Sequence, residues 1–304
     1  LEKRAGRIEG PARNERARMV QTVIFFGVIW TALYCLIAFG FSLLFGVAQV
    51  LNLTHGMIIM SACYVAFLLV TGLNWSLGFS LIGGVIGSVL LILIIYLGFI
   101  KKLLTAPHTS MLLLTAGLAN AIQQIVILTV GPQNKFVPTM ITGGTTIFSV
   151  VLSNQQILSV IVAFGLVVLL VLFFQRTRMG RAIRAVTQDR STASLSGINA
   201  EEMYLVTIMI AGVLAGVAGL LIAPIQTVTP EIGWEMMVTA FTVTILAGLG
   251  GPIWGVVVAA AIVAYAEIIT AFLIAPTLKE GAAFVIMILT LMFRPQGLFG
   301  KGRL

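Results

Sequence analysis

The residues best placed to do chemistry in this sequence are gathered in one polar stretch. It runs from Gly180 to Glu202 (GRAIRAVTQDRSTASLSGINAEE) and is the longest polar interruption after the first eighteen positions. Arg181, Arg184 and Gln188 fall at helical spacing, and so do Ala182, Ala185 and Val186, which predicts a short amphipathic helix lying at a membrane surface. Asp189, Ser191 and Thr192 follow, then Ala193, Ser194 and Leu195, with a break at Gly197. Asn199 can N-cap the next helix, with Glu201 and Glu202 in its first turn, where the helix dipole favours negative charge. Two readings stand side by side. The stretch is either a solvated loop whose arginines only fix orientation, or a docking helix that a cytoplasmic partner grips.

Polar groups inside apolar segments form the second set. Glu267 is the only acidic residue within such a segment, and an ionisable group there is costly unless it faces a cavity or a partner. Asn52 and His55 sit at an expected helix start, where Asn52 and Gly56 could serve capping and the turn alone. Asn120, Gln123 and Gln124 lie three and four residues apart on one helix face, able to line a pathway or to join helices. No second histidine is near His55 to make a metal site, since His108 stands beside Pro107 at a different segment boundary. Cys35 and Cys63 fall in apolar runs and read as packing residues, as do Met57, Met60 and the other methionines.

These side chains need elements to hold them, and composition decides which. Apolar residues make up 59% of the 304, charged residues only 9%, and the mean hydropathy is +1.10. A soluble domain carries about 25% charged residues, so this chain could not wet its own surface. From Val20 to Ile100 there is no Asp, Glu, Lys or Arg. A spanning helix needs about 20 mostly apolar residues and satisfies its own backbone in lipid. Nine apolar segments can be marked, near 21–47, 57–73, 76–99, 109–130, 150–175, 202–225, 236–249, 253–274 and 281–293. The seventh is short and runs into Gly248, Gly250, Gly251 and Pro252, so it could be broken or re-entrant. The expectation is an all-α polytopic membrane bundle of about eight spans, give or take one, over residues 19–304. Residues 1–18 hold six of the eighteen basic residues and are set aside as a leader or added extension.

The net charge of +8 does not point to nucleic acid, because the cations sit between apolar runs, where they orient the chain. Three clusters belong in the cytoplasm: Lys101 with Lys102; Arg176, Arg178, Arg181, Arg184 and Arg190; and Arg294, Lys301 and Arg303. Lys135 and Lys279 fall elsewhere. Two crossings between the first two clusters put 131–149 outside, together with Gln226 to Glu235. A cytoplasmic C-terminus then requires the last three segments all to cross, which weighs against a re-entrant seventh. Gly83 with Gly87 and Gly212 with Gly216 have the four-residue spacing that lets helices approach closely.

Four stretches together resemble the permeases of the branched-chain amino acid ABC importer family. Leu51-Asn52-Leu53-Thr54-His55-Gly56 is similar to that family's Asn–His–Gly signature. Gly180 to Glu202 resembles its cytoplasmic coupling loop, Phe241 to Gly255 its Gly-rich segment, and Arg294-Pro295-Gln296-Gly297-Leu298-Phe299-Gly300 its C-terminal signature. The order and spacing also match, over 19–304. Arg181 and Ala182 stand where Glu–Ala is frequent among ABC permeases, a departure common in this family. The resemblance implies a multi-pass protein of the bacterial inner membrane that is not itself an enzyme. It implies a second homologous permease, two cytoplasmic ATPases and a periplasmic or lipid-anchored solute-binding protein. ATP and Mg would be used by the ATPases, with no cofactor on this chain, which carries no Gly-rich GK[ST] phosphate loop. Coupling would fall to Arg181, Arg184, Ala185, Gln188, Asp189, Ala193, Ser194 and Gly197. Asn52, His55, Asn120, Gln123, Gln124 and Glu267 are the pathway candidates. The solute would be a branched-chain amino acid or a related small polar solute such as urea or an amide. The competing class is an ion-coupled secondary transporter, which would want intramembrane carboxylates and an inverted repeat.

Overall fold

The computed structural model describes residues 9–48, 51–103, 107–248 and 251–300. Helix α1 (Glu9–Ala48) runs unbroken through the 9–18 stretch and into the first apolar segment. It is followed by α2 (Thr54–Thr71), α3 (Leu77–Ile95), α4 (His108–Val130), α5 (Asn154–Arg176), α6 (Arg178–Gln188), α7 (Arg190–Leu195), α8 (Ala200–Ile222), α9 (Ile232–Ala247), α10 (Ile253–Leu273) and α11 (Lys279–Phe293). Helix α3 continues through a π-turn, Tyr96–Ile100, to Leu103. Among the described residues, eight stretches are long and apolar enough to span a membrane, and α9 is a shorter apolar helix of 16 residues. The protein is an all-α multi-pass membrane bundle.

The fifth apolar segment is not helical from its start. Val150–Ser153 forms a strand (β2) paired antiparallel with Gly144–Ile147 (β1), and α5 begins only at Asn154. Both β-branched residues favour the extended backbone, and Ser153 closes a capping box with Gln156, which fixes where the helix begins.

Burial separates a centre from a rim. Of the most apolar window of the α1 span, 72% is buried, against 22% for α5 and 11% for α11. Helix α1 packs on α5, α8, α9 and α10, while α2, α3 and α8 pack mutually. Ser88 of α3 donates to the Gly212 carbonyl at 3.1 Å, at the close α3–α8 crossing that the Gly212/Gly216 spacing predicts. Cys35 and Cys63 are both buried, with the Cys63 thiol 3.2 Å from the Gly219 carbonyl.

The short α9 runs from one face of the bundle to the other and does not re-enter. At its start, Val228 bridges Lys135, just beyond the end of α4. At its far end, the Leu298 and Phe299 amides donate to the Leu246 and Ala247 carbonyls, at 2.7 and 3.2 Å. Gly251, just past that end, shares a cleft with Ile183 and Arg184 of α6. At about 1.5 Å per residue, sixteen residues span only about 24 Å, so its connections are drawn into the bundle.

The Gly-rich segment and the C-terminal signature are therefore two halves of one joint. Gly248 and Gly297 have φ of 92° and 77°, conformations that cost an L side chain. A Cβ on Gly297 would collide with the Gly248 backbone. Gly250, Lys301 and Arg303 lie outside the described residues.

Candidate functional site

Lys101, the Arg176–Arg190 run and Arg294 share one face of the bundle, as the charge pattern required. Lys101 pairs with Glu201 at 2.5 Å, at the start of α8. Lys135 and Lys279 stand toward the other face, each over an aromatic ring, Phe67 at 5.7 Å and Trp30 at 4.2 Å.

On the basic face the polar stretch folds as two helices. Thr177 caps α6 by accepting from the Gly180 amide at 2.9 Å. Helix α6 buries Gly180, Ile183 and Val186 and exposes Arg181, Arg184 and Gln188. Its apolar face is thus centred on Ile183 and Val186, with Ala182 and Ala185 only half-buried on the flanks. The larger side chains gain more by leaving water, and they decide the rotation of the helix.

Asp189 ends α6 and starts α7. Its carboxylate accepts from the Ser191 and Thr192 amides at 2.9 and 3.1 Å and from both hydroxyls at 2.6 and 2.7 Å. Those hydrogen bonds hold its pKa well below the usual carboxylate range. Ala193 is buried, Ser194 is exposed, and Gly197 breaks the chain with φ of 79°. Asn199 then caps α8, accepting from the Glu201 and Glu202 amides at 3.1 and 3.4 Å.

The layer has a small core of its own, made of Phe174, Ile183, Val186, Ala193 and Met203. Arg181, Arg184, Gln188 and Ser194 lie on exposed surface of this layer. A rigid amphipathic piece with an outward guanidinium face, seated on the ends of α1, α5 and α8, can take a push from a docked protein and pass it to those helices.

The remaining candidates do not converge on one spot. Asn52 accepts from the Thr54 amide and hydroxyl at 3.1 and 2.6 Å, holding the turn into α2. His55 is fully buried, with Nε2 3.2 Å from the Ile37 carbonyl and its ring beside Phe41. Gly56 meets α9 so closely that a Cβ would strike the Gly233 carbonyl oxygen. The Asn–His–Gly stretch thus sits where α1, α2 and α9 meet.

Gln123 is buried and bridges helices. Its amide donates to the Pro230 carbonyl at 3.1 Å and its oxygen accepts from the Trp234 indole at 2.9 Å. Asn120 and Gln124 are exposed on the outside of the bundle, and Asn120 donates to the Ala116 carbonyl at 3.0 Å.

Glu267 is 2% exposed and accepts a hydrogen bond from Tyr34, with the Lys279 ammonium 4.0 Å away. Tyr34 and Trp30 are not among the candidates of the sequence, and Lys279 stands out there only by its position. Lys279 carried a signal, as a lone cation off the basic face. Tyr34 carried none, since it lies 233 positions from Glu267 and joins it only by helix packing.

Comparison with known proteins accords with this architecture. Residues 23–291 match the sequence model of the family described as branched-chain amino acid transport system / permease component. The high-affinity branched-chain amino acid transport system permease protein LivH of Salmonella typhimurium is 30% identical, over 91% of this chain and 94% of its own length. Its counterpart LivH in Escherichia coli is 29% identical over the same shares. The permease BraD of Pseudomonas aeruginosa is 30% identical over 88% of this chain and 92% of its own. Among solved structures, PsaBC from Streptococcus pneumoniae in complex with Fab superposes with a TM-score of 0.55 at 12% identity, covering 92% of this chain and 96% of that one, a likeness of fold alone. The chain belongs to the family of branched-chain amino acid ABC transport permease components.

Proposed function

We propose that this chain forms part of the transmembrane pathway of an ATP-driven importer in a bacterial inner membrane, and that its solute is a branched-chain amino acid. The observation that carries the reading is the layer α6–α7. It is an outward-facing Arg181/Arg184/Gln188 surface on a helix whose other side is anchored to the spanning bundle by Ile183 and Val186. A coupling free energy between distant sites needs an element of this kind, stiff enough to move as a unit. In this scheme a second, homologous permease completes the pathway. Two ATPases bind ATP and Mg and press on α6 of each permease, and an external binding protein delivers the solute. The names of the relatives support the solute class; urea and short amides remain the neighbouring chemistry to test against it.

Asn120 and Gln124 fit the second permease or the pathway, because polar groups turned outward from a spanning helix are costly against lipid. Glu267, already engaged by Tyr34 and Lys279, does not favour the ion-coupled alternative.

The test is co-purification and solute-stimulated ATP hydrolysis. Replacing Arg181→Glu together with Arg184→Glu reverses the charge of the docking face while leaving the buried side of α6 intact. The expected result is normal membrane insertion with at least about tenfold less co-purified ATPase, since close interfacial charge pairs couple by about 1.5 kcal/mol or more. Normal complex assembly in that variant, or leucine uptake into proteoliposomes driven by an ion gradient without ATP, would overturn the reading.

A further inference from the structure

A cleft of about 210 Å³ lies on the membrane-ward side of α6, between it and the spanning helices α1, α5 and α10. We propose that it holds one acyl chain of an anionic phospholipid, with the lipid phosphate on Arg184. This site lies behind the outward docking face, shares Arg184 and Gln188 with it, and does not depend on the transport assignment.

Three observations carry the proposal. The space is more than an order of magnitude larger than the 10–15 Å³ a single water needs. Its walls are mostly apolar, including Leu43, Leu170, Phe174 and Ile183, with Ser42, Thr187, Arg184 and Gln188 as the polar exceptions, so most of the wall favours an apolar occupant over water. Finally, Arg184 lines the cleft and is itself exposed, and among the described residues its guanidinium pairs with no carboxylate.

An apolar slot with an unpaired guanidinium at its rim, on the basic face of a membrane bundle, matches the two ends of a phospholipid. Basic pockets between spanning helices suit anionic head groups, and Arg meets phosphate through two parallel hydrogen bonds. An amino-acid solute fits less well. Its zwitterion asks for an anion as well as a cation, and among the described residues no carboxylate lines the cleft.

The probe is phosphatidylglycerol, with phosphatidylcholine as the neutral control, added to the purified full chain and read by native mass spectrometry. One phosphatidylglycerol per chain should be retained, at least about tenfold more strongly than phosphatidylcholine. Arg184→Gln should abolish that preference and Arg184→Lys should keep most of it. Ser42→Leu, which fills the cleft without touching charge, should displace the lipid. Equal retention of the two lipids, or unchanged retention in Ser42→Leu, would overturn the proposal. Displacement of the lipid by leucine would also overturn it, by assigning the cleft to the solute. A measurement on the unmutated chain guards against variants that fail to fold. A phosphatidylglycerol with a photoreactive acyl chain should label residues within 39–46 or 170–187, and labelling only elsewhere refutes the site.

Discussion

The centre of the bundle and the α6–α7 layer solve the same packing problem to different standards. Where α2 meets α9, Gly56 lies so near the Gly233 carbonyl that no side chain fits, and Gly248 and Gly297 meet as closely at the other end of α9. The layer rests instead on five buried residues and leaves a cleft of about 210 Å³ beneath it. Close-packed interiors transmit strain and resist deformation, whereas a small satellite core can tilt at the cost of few contacts. The difference assigns stiffness to the bundle and displacement to the layer.

The largest expected effect breaks the stiff side. Gly56→Leu drives a branched side chain into backbone and should cost about 3 kcal/mol or more, since overpacking has nowhere to relax. Fluorescence-detected size exclusion should show loss of monodisperse protein. A bulky residue tolerated there would remove the contrast between the two regions.

The next effect should stay confined to the layer. Ile183→Ala removes much of the buried face of α6, at about 2 kcal/mol. Amide hydrogen exchange should rise in α6 and α7 and remain unchanged in α8–α10. Spread of faster exchange into α9 would mean that layer and bundle unfold as one unit.

Tyr34→Phe probes the bundle by chemistry where Gly56 probes it by volume. It withdraws the hydroxyl from Glu267, whose burial then lacks one hydrogen bond, at about 1–3 kcal/mol. A lower melting temperature with unchanged coupling of ATP hydrolysis to solute is expected. A change in solute selectivity at unchanged stability would instead make Glu267 part of the pathway.

Asp189→Ala should be the mildest change, raising exchange only at the Ser191 and Thr192 amides. The same cap gives a pH signature. Its pKa is pushed below the unfolded value of about 3.9, so the cap is fully formed above that pH and is lost only as pH falls through the lower folded value. Protection of those two amides should be flat from pH 7 down to about 4. Loss near pH 5 would show that the carboxylate is not held as described.

Much of this contrast was written in the chain. The polar stretch, the break at Gly197 and the Asn199 cap could be read because they are local and depend on spacing and backbone propensity. The face of α6 was read less well, because Ala182 and Ala185 share the helical spacing but carry too little area to set the rotation against Ile183. The start of α5 was placed four residues early, because Val150–Ser153 is as apolar as a helix and only its pairing with Gly144–Ile147 made it a strand.

Glu267 was identified without its partners, and Gln123 without the division between it and Asn120 and Gln124. Both depend on which helices become neighbours. By itself the sequence determined that the protein is a membrane bundle, that its cations collect on one face, and where the outward-facing layer interrupts it. Hydropathy, charge and short-range spacing carry that information. Only the tertiary structure decided that Tyr34 meets Glu267, that Gly56 touches α9, that Gly297 closes on Gly248, and that a cleft opens behind Arg184. Those contacts join residues tens to hundreds of positions apart, and their register is set by how closely whole helices can approach.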